Sequence, residues 1–201
     1  MSEKKKDRSA EIYAASRAYA DFMDIVIPGW REDPQAKDTP MRVAKSFISD
    51  LVSSLHNEPP VIRDFDNGEH YDGIVAQCNI PVKSLCAHHH LPIIGLAHVA
   101  YIPGQTSKII GLSKLNRIVE YWSHRPQTQE HLTIQISKAI DSYIPQNKGV
   151  AVVIHAKHLC CSHRGIKHDS EMHTAKLTGS FLLNEDKSRE EFYKMIQIAT
   201  K

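Results

Sequence analysis

Apolar residues recur with two different periods along this chain, and the order in which the periods alternate restricts the fold. Helical spacing over 12–23 and again over 44–55 is followed by short apolar runs at 73–82 and 93–103. Two further helical stretches, a second pair of strand-like runs and a last helical stretch complete the chain. This order predicts an α+β domain in which an antiparallel four-stranded sheet is backed by helices.

Local signals at the ends of several elements add detail to this prediction. Thr39, which precedes a proline, is typical of the N-cap of a second helix. The apolar runs 149–158 and 174–183 predict two more strands. Ser188, with Glu191 three residues later, resembles a capping box and predicts the start of the final helix there.

We expect one domain overall, divided into three stretches of different character. Residues 1–8 are charged and predict a flexible N-terminus, and residues 9–58 predict an N-terminal helical region. Residues 59–201 hold all the strand-like runs and the candidate catalytic residues. A four-stranded sheet has two edges that must be covered, which favours assembly of several copies of the chain.

Charge and cysteine content argue against several functional classes. The formal net charge is +2, with 25 basic and 23 acidic residues, so we expect no nucleic-acid and no membrane partner. We also expect a cytoplasmic protein, because no segment resembles a signal peptide or approaches the roughly 18 apolar residues that span a bilayer. Four cysteines are too few for a disulfide framework in 201 residues, so we expect buried thiols or metal ligands.

The cysteines and some of the 13 histidines have spacings that suit a metal centre. Cys86 and His89 are in Cys-x-x-His spacing, and Cys160 follows a predicted strand. Two thiolates and one imidazole would give zinc three ligands and leave a fourth position for water, as in catalytic sites. His88 and His158 flank these candidates and could transfer protons. The spacing fits equally well two core thiols beside polar loop histidines.

Several blocks of the sequence together resemble the GTP cyclohydrolase I family. They occur in the family's order between about residue 10 and about residue 198. The blocks are DTPMRVAKSF at 38–47, DFDNGEHYDGIV at 64–75, CAHHH at 86–90, GLSKLNRIVEYWSHRPQTQEHLT at 111–133, and HLC at 158–160 followed by Arg164 and Gly165.

This resemblance implies a tunnelling fold and a zinc-dependent hydrolysis of GTP, the substrate, to 7,8-dihydroneopterin triphosphate and formate. It implies that Cys86, His89 and Cys160 hold zinc, and that His88 and His158 are the catalytic acid/base residues. Water would attack carbon 8 of guanine, after which formate would leave. The resemblance further implies a homo-oligomer, a decamer of two pentamers in which subunits share the sites.

The resemblance also implies which residues bind the substrate. Glu130 matches a carboxylate that recognises guanine, since one carboxylate can accept hydrogen bonds from the ring N–H and the exocyclic amine side by side. The triphosphate would lie near a predicted helix start, where free backbone N–H groups favour anions. Taken singly, each basic residue is equally typical of a solvated surface. The implied phosphate-binding residues are Ser113, Lys114, Arg117, Arg164 and, from a neighbouring subunit, Arg42 and Lys45.

The chain departs from the family pattern at Ala87, where relatives carry a glutamate that could orient the site. Two alternatives follow, namely a guanine-nucleotide-binding homologue with altered catalysis and a related tunnelling-fold enzyme that acts on another purine or pterin. The implied basic set argues against the second, because a substrate without a triphosphate does not need it. The chain also has extra histidines. His90 could alter metal binding or be a surface residue. For His163, His168 and His173 a second metal site, a pH-responsive surface and no function all remain open.

Overall fold

A computed structural model describes residues 7–200, which form two compact units. The described part of the first unit is 7–56, and that of the second is 57–200. Most of the predicted flexible segment 1–8 lies outside the described residues, and the predicted domain division stays a prediction. No helix between residues 7 and 200 combines the length and the apolar character that crossing a membrane requires.

The N-terminal unit is helical. Its elements are α1 (Ser9–Val26), α2 (Thr39–Ser46), a π-helical turn (Phe47–Leu51) and a 3-10 turn (Ser53–Leu55). Thr39 is the first residue of α2 rather than its N-cap, a position that Asp38 occupies. After α2 the hydrogen-bond pattern widens, since the Val52 N–H donates to the Phe47 carbonyl at 2.9 Å.

The C-terminal unit is built on one large sheet. Its strands are β1 (Asp64–Asp66), β2 (Val75–Cys86), β3 (Pro92–Ile102), β4 (Lys108–Ile110), β5 (Pro126–Gln127), β6 (Gly149–His158) and β7 (Glu171–Leu177). Within 57–200 the large sheet has five strands in the order β5-β2-β3-β6-β7, and β1 pairs with β4 separately. β2, β3, β6 and β7 pair antiparallel, whereas β5 is parallel to β2. The sheet therefore has one strand more than the four predicted, because Pro126 and Gln127 pair with the end of β2.

Helices cover parts of both faces of this sheet. They are α3 (Leu112–Ser123), α4 (Gln129–Tyr143), α5 (Leu159–Ser162), α6 (Gly179–Leu183) and α7 (Ser188–Ala199). The larger core joins β6 residues Val152 and Ile154 to buried side chains of α3 and α4. The smaller core joins Ala151 to Phe181 and Phe192 of α6 and α7. Alternate residues of β6 therefore face different cores, as the period of a strand requires.

The predicted strand over 174–183 is wrong in its second half. β7 ends at Leu177, and α6 begins at Gly179, whose φ is 51°. A Cβ atom at Gly179 would lie 2.0 Å from the Lys148 carbonyl oxygen, so a side chain does not fit there. The Ser180 N–H donates to the same carbonyl at 2.9 Å, and this bond turns the chain away from the sheet.

The last helix begins at Ser188 as predicted, but its start is organised differently from a capping box. Lys187 occupies the N-cap position with a φ of 62°. The Ser188 hydroxyl donates to the Asp186 carboxylate, and the N-cap residue Lys187 makes no side-chain capping hydrogen bond.

Candidate metal centre

Three side chains at one edge of the large sheet form a group that could hold a metal ion. Cys86, His158 and Cys160 each offer one ligand atom, and these atoms all lie within 4.8 Å of one another. Cys86 ends β2 and His158 ends β6. Both strands are antiparallel to β3, so their carboxyl ends lie at the same edge. α5 follows β6 directly and brings Cys160 back towards Cys86.

The connection between α3 and α4 is fixed to the end of β2. Gln127 pairs with Cys86, and the Ala87 N–H donates to the Gln127 carbonyl at 3.2 Å. The buried Gln127 amide also donates to the Trp122 carbonyl at 2.6 Å and to the Ser84 hydroxyl at 3.3 Å. α4 begins two residues later, so its first turn lies beside the candidate metal centre.

The surroundings of the two buried thiols favour the protonated form of Cys160, and a bound cation would favour its thiolate. Burial raises the pKa of Cys160 to about 12, and the neighbouring Cys86 thiol adds to this shift. Without a nearby positive charge, burial keeps the Cys160 thiol neutral. A metal ion requires thiolates and stabilises them, so a cation bound beside Cys160 and Cys86 would offset the free energy that ionising Cys160 costs. The donor set, two sulfurs and an imidazole, is one that zinc accepts.

His158 connects the thiols to the predicted acid/base and guanine-binding residues. Its Nε2 lies 2.9 Å from Gln129 Oε1. Burial lowers the pKa of His158, the charge of Glu130 opposes this, and His88 adds to the lowering. His88 Nδ1 lies 3.5 Å from Cys86 Sγ. The structure therefore brings the predicted His88, His158 and Glu130 together with both cysteines.

His89 is placed differently from the ligand that the resemblance implies. Within the described residues, the three-membered metal group contains His158 and not His89. His89 lies exposed in the turn between β2 and β3, where its Nε2 accepts a hydrogen bond from Arg164 Nη1 at 2.8 Å. Arg164, a predicted phosphate contact, is therefore at this end of the sheet.

The other predicted substrate-binding residues lie on two helices. α3 packs against β2 and carries three of them in its first two turns, namely Ser113, Lys114 and Arg117. Arg42 and Lys45 are exposed on α2 of the N-terminal unit, where Arg42 lies 3.7 Å from the Asp38 carboxylate.

Three histidines form a second cluster, which we call the histidine stack. His98 on β3, His155 on β6 and His173 on β7 have ring centroids 5.3 Å and 5.7 Å apart, with nearly parallel planes. His98 is buried, and its Nε2 has no hydrogen-bond partner among residues 7–200. The three rings do not form a ligand group like that of the cysteines, and the remaining extra histidines are exposed. These are His90, His163 and His168.

Sequence reasoning missed Gln129. This residue is completely buried and is the first residue of α4, next to the predicted guanine-binding Glu130. A single glutamine at a helix start carries no sequence signal of burial, because most glutamines are exposed. Only its contacts in the folded protein reveal its place in the site.

Fold and site together define an α+β protein with a thiol and imidazole centre of the kind that metal-dependent hydrolases use. A sequence model of the family described as GTP cyclohydrolase I matches residues 20–197. The chain belongs to the GTP cyclohydrolase I family, which confirms the resemblance seen in its sequence.

Individual relatives agree with this assignment. The chain is 44% identical over 170 residues to GTP cyclohydrolase 1 of Flavobacterium johnsoniae, which covers 84% of this chain and 74% of the relative. It is 41% identical over 189 residues to GTP cyclohydrolase 1 of Coxiella burnetii, with 90% and 99% covered. GTP cyclohydrolase 1 of Corynebacterium glutamicum is 37% identical over 184 residues, with 90% and 92% covered.

Proposed function

We propose that this chain hydrolyses GTP to 7,8-dihydroneopterin triphosphate and formate. The observation that carries the proposal is the group Cys86, His158 and Cys160, with His88 and Glu130 beside it, in a chain of the GTP cyclohydrolase I family. A buried thiol pair next to two histidines and a carboxylate supplies the groups that metal-assisted hydrolysis of a guanine ring requires.

Zinc is the metal that we assign to this centre. Cys86 and Cys160 would hold it with the imidazole of His89, whose Nε2 has a lone pair because it accepts a hydrogen bond from Arg164. His158 is the second candidate for the third ligand, because its ring already lies in the group with both cysteines. Zinc with three protein ligands supplies a Lewis acid and lowers the pKa of water to about 7.

Two histidines would then move protons to and from the substrate. His88 lies at the Cys86 thiol, and His158 lies between the thiols and the first turn of α4. Proton transfer by a positioned histidine contributes roughly 100- to 10,000-fold to such reactions. His158 is half-buried and His88 exposed, so the two differ in their access to solvent.

Guanine and triphosphate would bind to two different sets of residues around these histidines. The exposed Glu130 carboxylate, in the first turn of α4, would accept both guanine donors. Arg164 would bind phosphate at the His89 side, together with the start of α3. The phosphate-binding residues on α3 would be Ser113, Lys114 and Arg117, and Arg42 and Lys45 would come from a neighbouring copy of the chain.

We further propose the tunnelling fold, a homodecamer of two pentamers and a cytoplasmic location. Two features support assembly. β7 is an edge strand of the described sheet, and α1 exposes Tyr13 by 60% and Ile25 by 81%. Unpaired strand edges and apolar helix surfaces are the features that association buries.

The test is incubation of zinc-loaded protein with GTP, followed by measurement of formate and of pterin absorbance. Cys160→Ala removes a buried proposed ligand, and Cys161→Ala removes the exposed neighbouring thiol as a matched control. We expect wild type and Cys161→Ala to release formate, and Cys160→Ala to release none. We also expect Cys160→Ala to lose zinc, because one ligand of three is gone.

Ala87 gives weaker support to an alternative function, the binding of a guanine nucleotide without its hydrolysis. Ala87, in the turn after Cys86, supplies no carboxylate at the position where the family carries one. If wild type binds zinc and GTP but releases no formate, the chain is a guanine-nucleotide-binding homologue. Turnover of guanosine or neopterin in preference to GTP would instead favour the related enzyme acting on another purine or pterin.

A further inference from the structure

A buried glutamine joins the start of α4 to the ends of β6 and β7. Gln129 has an exposed fraction of 0%. Its Nε2 lies 3.1 Å from the Ile154 carbonyl, 2.9 Å from the Met172 carbonyl and 3.1 Å from the Thr174 hydroxyl. Its Oε1 lies 2.9 Å from His158 Nε2. The Gln129 side chain on α4 is therefore hydrogen-bonded to β6 and β7 through its Nε2 and contacts His158 Nε2 through its Oε1.

The orientation of this amide is determined by its partners. A carbonyl oxygen can only accept hydrogen bonds, so the amide atom facing Ile154 and Met172 has to be the NH₂ group. A flipped amide would place its oxygen against both carbonyl oxygens in a buried position, which costs free energy. Gln129 Oε1 therefore faces His158.

This orientation determines which ring nitrogen of His158 carries hydrogen. Gln129 Oε1 can only accept, so His158 Nε2 has to donate. In a neutral imidazole the other nitrogen, Nδ1, then holds the lone pair. A partner of this kind fixes both the rotation of the ring and its tautomer, as an orienting residue does for a catalytic histidine.

We infer that Gln129 is a positioning residue, which holds the His158 ring so that Nδ1 is the nitrogen that exchanges a proton with the substrate. The inference deepens the proposed function and rests on the role of His158 in proton transfer. Gln129 itself is buried behind His158, so it acts on the substrate only through that ring.

Two variants separate this role from a purely structural one. Gln129→Met keeps the length of the side chain and removes both the His158 contact and the anchoring bonds. Thr133→Val is the matched control, because the buried Thr133 hydroxyl donates to the Gln129 carbonyl and contacts the Thr174 hydroxyl at 2.7 Å without touching His158. Both variants remove buried hydrogen bonds beside the same strands.

The measurements are zinc content, kcat and KM for GTP, and urea unfolding. We expect both variants to lose stability and to keep zinc. Only Gln129→Met should lose kcat, by about 10- to 100-fold, with KM little changed, since orienting partners contribute that much. Equal kcat losses in both variants would show a structural role, and loss of zinc from Gln129→Met alone would show that His158 is a metal ligand; either result overturns the inference.

Gln129→Glu provides a second variant if Gln129→Met does not fold. Burial favours the neutral acid, which keeps an oxygen acceptor towards His158 and has an O–H that can donate to the Ile154 or Met172 carbonyl. Folded and zinc-loaded Gln129→Glu should therefore retain more kcat than any variant without an acceptor, such as Gln129→Ala. Equal activity of the Glu and Ala variants would contradict the inference. Failure of the proposed function is a separate result, because wild type and Thr133→Val would then release no formate either.

Discussion

β6 carries two histidines, three residues apart, that belong to two very different clusters. His158, at the end of the strand, lies with Cys86 and Cys160 at the candidate metal centre. His155 lies in the histidine stack between His98 and His173. The alternation of a strand puts positions 155 and 158 on opposite faces of the sheet. The same residue type on one strand is therefore placed in two environments.

The difference lies in the partners of the ring nitrogens. His158 Nε2 has a fixed acceptor in Gln129, and its neighbours are thiols, Glu130 and His88. In the stack, His155 Nδ1 lies 3.6 Å from a Glu171 carboxylate oxygen, and His98 Nδ1 accepts a long bond of 3.4 Å from the Asn79 N–H, while His98 Nε2 has no hydrogen-bond partner among the described residues. The two thiols and the buried Gln129 acceptor around His158 therefore distinguish the candidate metal centre from the stack.

The largest expected effect distinguishes the two clusters by activity. His88→Ala and His158→Ala should lower kcat for formate release by about 100- to 10,000-fold, since each removes a proton-transfer group. His89→Ala should lose zinc as well as activity, because it removes a proposed metal ligand. His155→Ala should leave both kcat and zinc content unchanged. Kinetics with GTP and metal analysis of the purified variants test all four.

The metal analysis also decides between the two candidate third ligands. Zinc retained by His89→Ala and lost from His158→Ala would assign the ligand to the histidine that the structure already groups with both thiols. Loss of kcat in His155→Ala would remove the contrast between the clusters, because the stack would then contribute to the reaction.

The second expected effect is a pH dependence of stability that belongs to the stack. Burial, with a contribution from His155, lowers the pKa of His98 from 6.5 to about 4. The unfolded chain therefore binds a proton at His98 below pH 6.5, whereas the folded chain does not until about pH 4. Stability from this residue is lost as the pH falls through that window, by roughly 3 kcal/mol.

Urea unfolding between pH 7 and pH 4 measures how the free energy of unfolding falls with pH. The His98→Leu variant should lose less free energy of unfolding over the window than wild type does, since leucine has nothing to titrate. Other groups titrate in both proteins and cancel in the difference. Parallel pH profiles for wild type and His98→Leu would mean that His98 is hydrated in solution, and the burial argument would be wrong.

Much of the fold follows from hydrophobic period alone. The strand over 149–158 was predicted with the bounds that the structure gives β6, and α3 and α4 cover the apolar residues at helical spacing in 112–122 and 132–143. The spacing of apolar residues could not reveal β5, because a strand of two residues is too short to show a repeating pattern. It also missed the start of α6 at Gly179, which depends on contact with the distant Lys148 carbonyl.

The site was predictable in composition and less so in geometry. Spacing and family resemblance selected Cys86, His89 and Cys160 as metal ligands and His158 as an acid/base residue, and the structure brings His158, rather than His89, together with both cysteines. They could not show that His89 contacts Arg164, nor that Gln129 is buried against His158. Both facts depend on how β2, β6 and α4 meet, and no local pattern of residues records such tertiary contacts.

The smallest expected effect concerns the exposed end of the stack. His173 is exposed, and its described ring contact is with His155 at 5.7 Å. Exposed substitutions of this kind usually change stability by less than about 0.5 kcal/mol, so His173→Ala should unfold at nearly the same urea concentration as wild type and keep its pH profile. A loss above about 1 kcal/mol would mean that the stacked rings stabilise one another as a unit. In that case histidine would be needed at position 98 for the stacking itself. The free energy lost by burying its Nε2 without a hydrogen-bond partner among the described residues would be offset by the stacked rings.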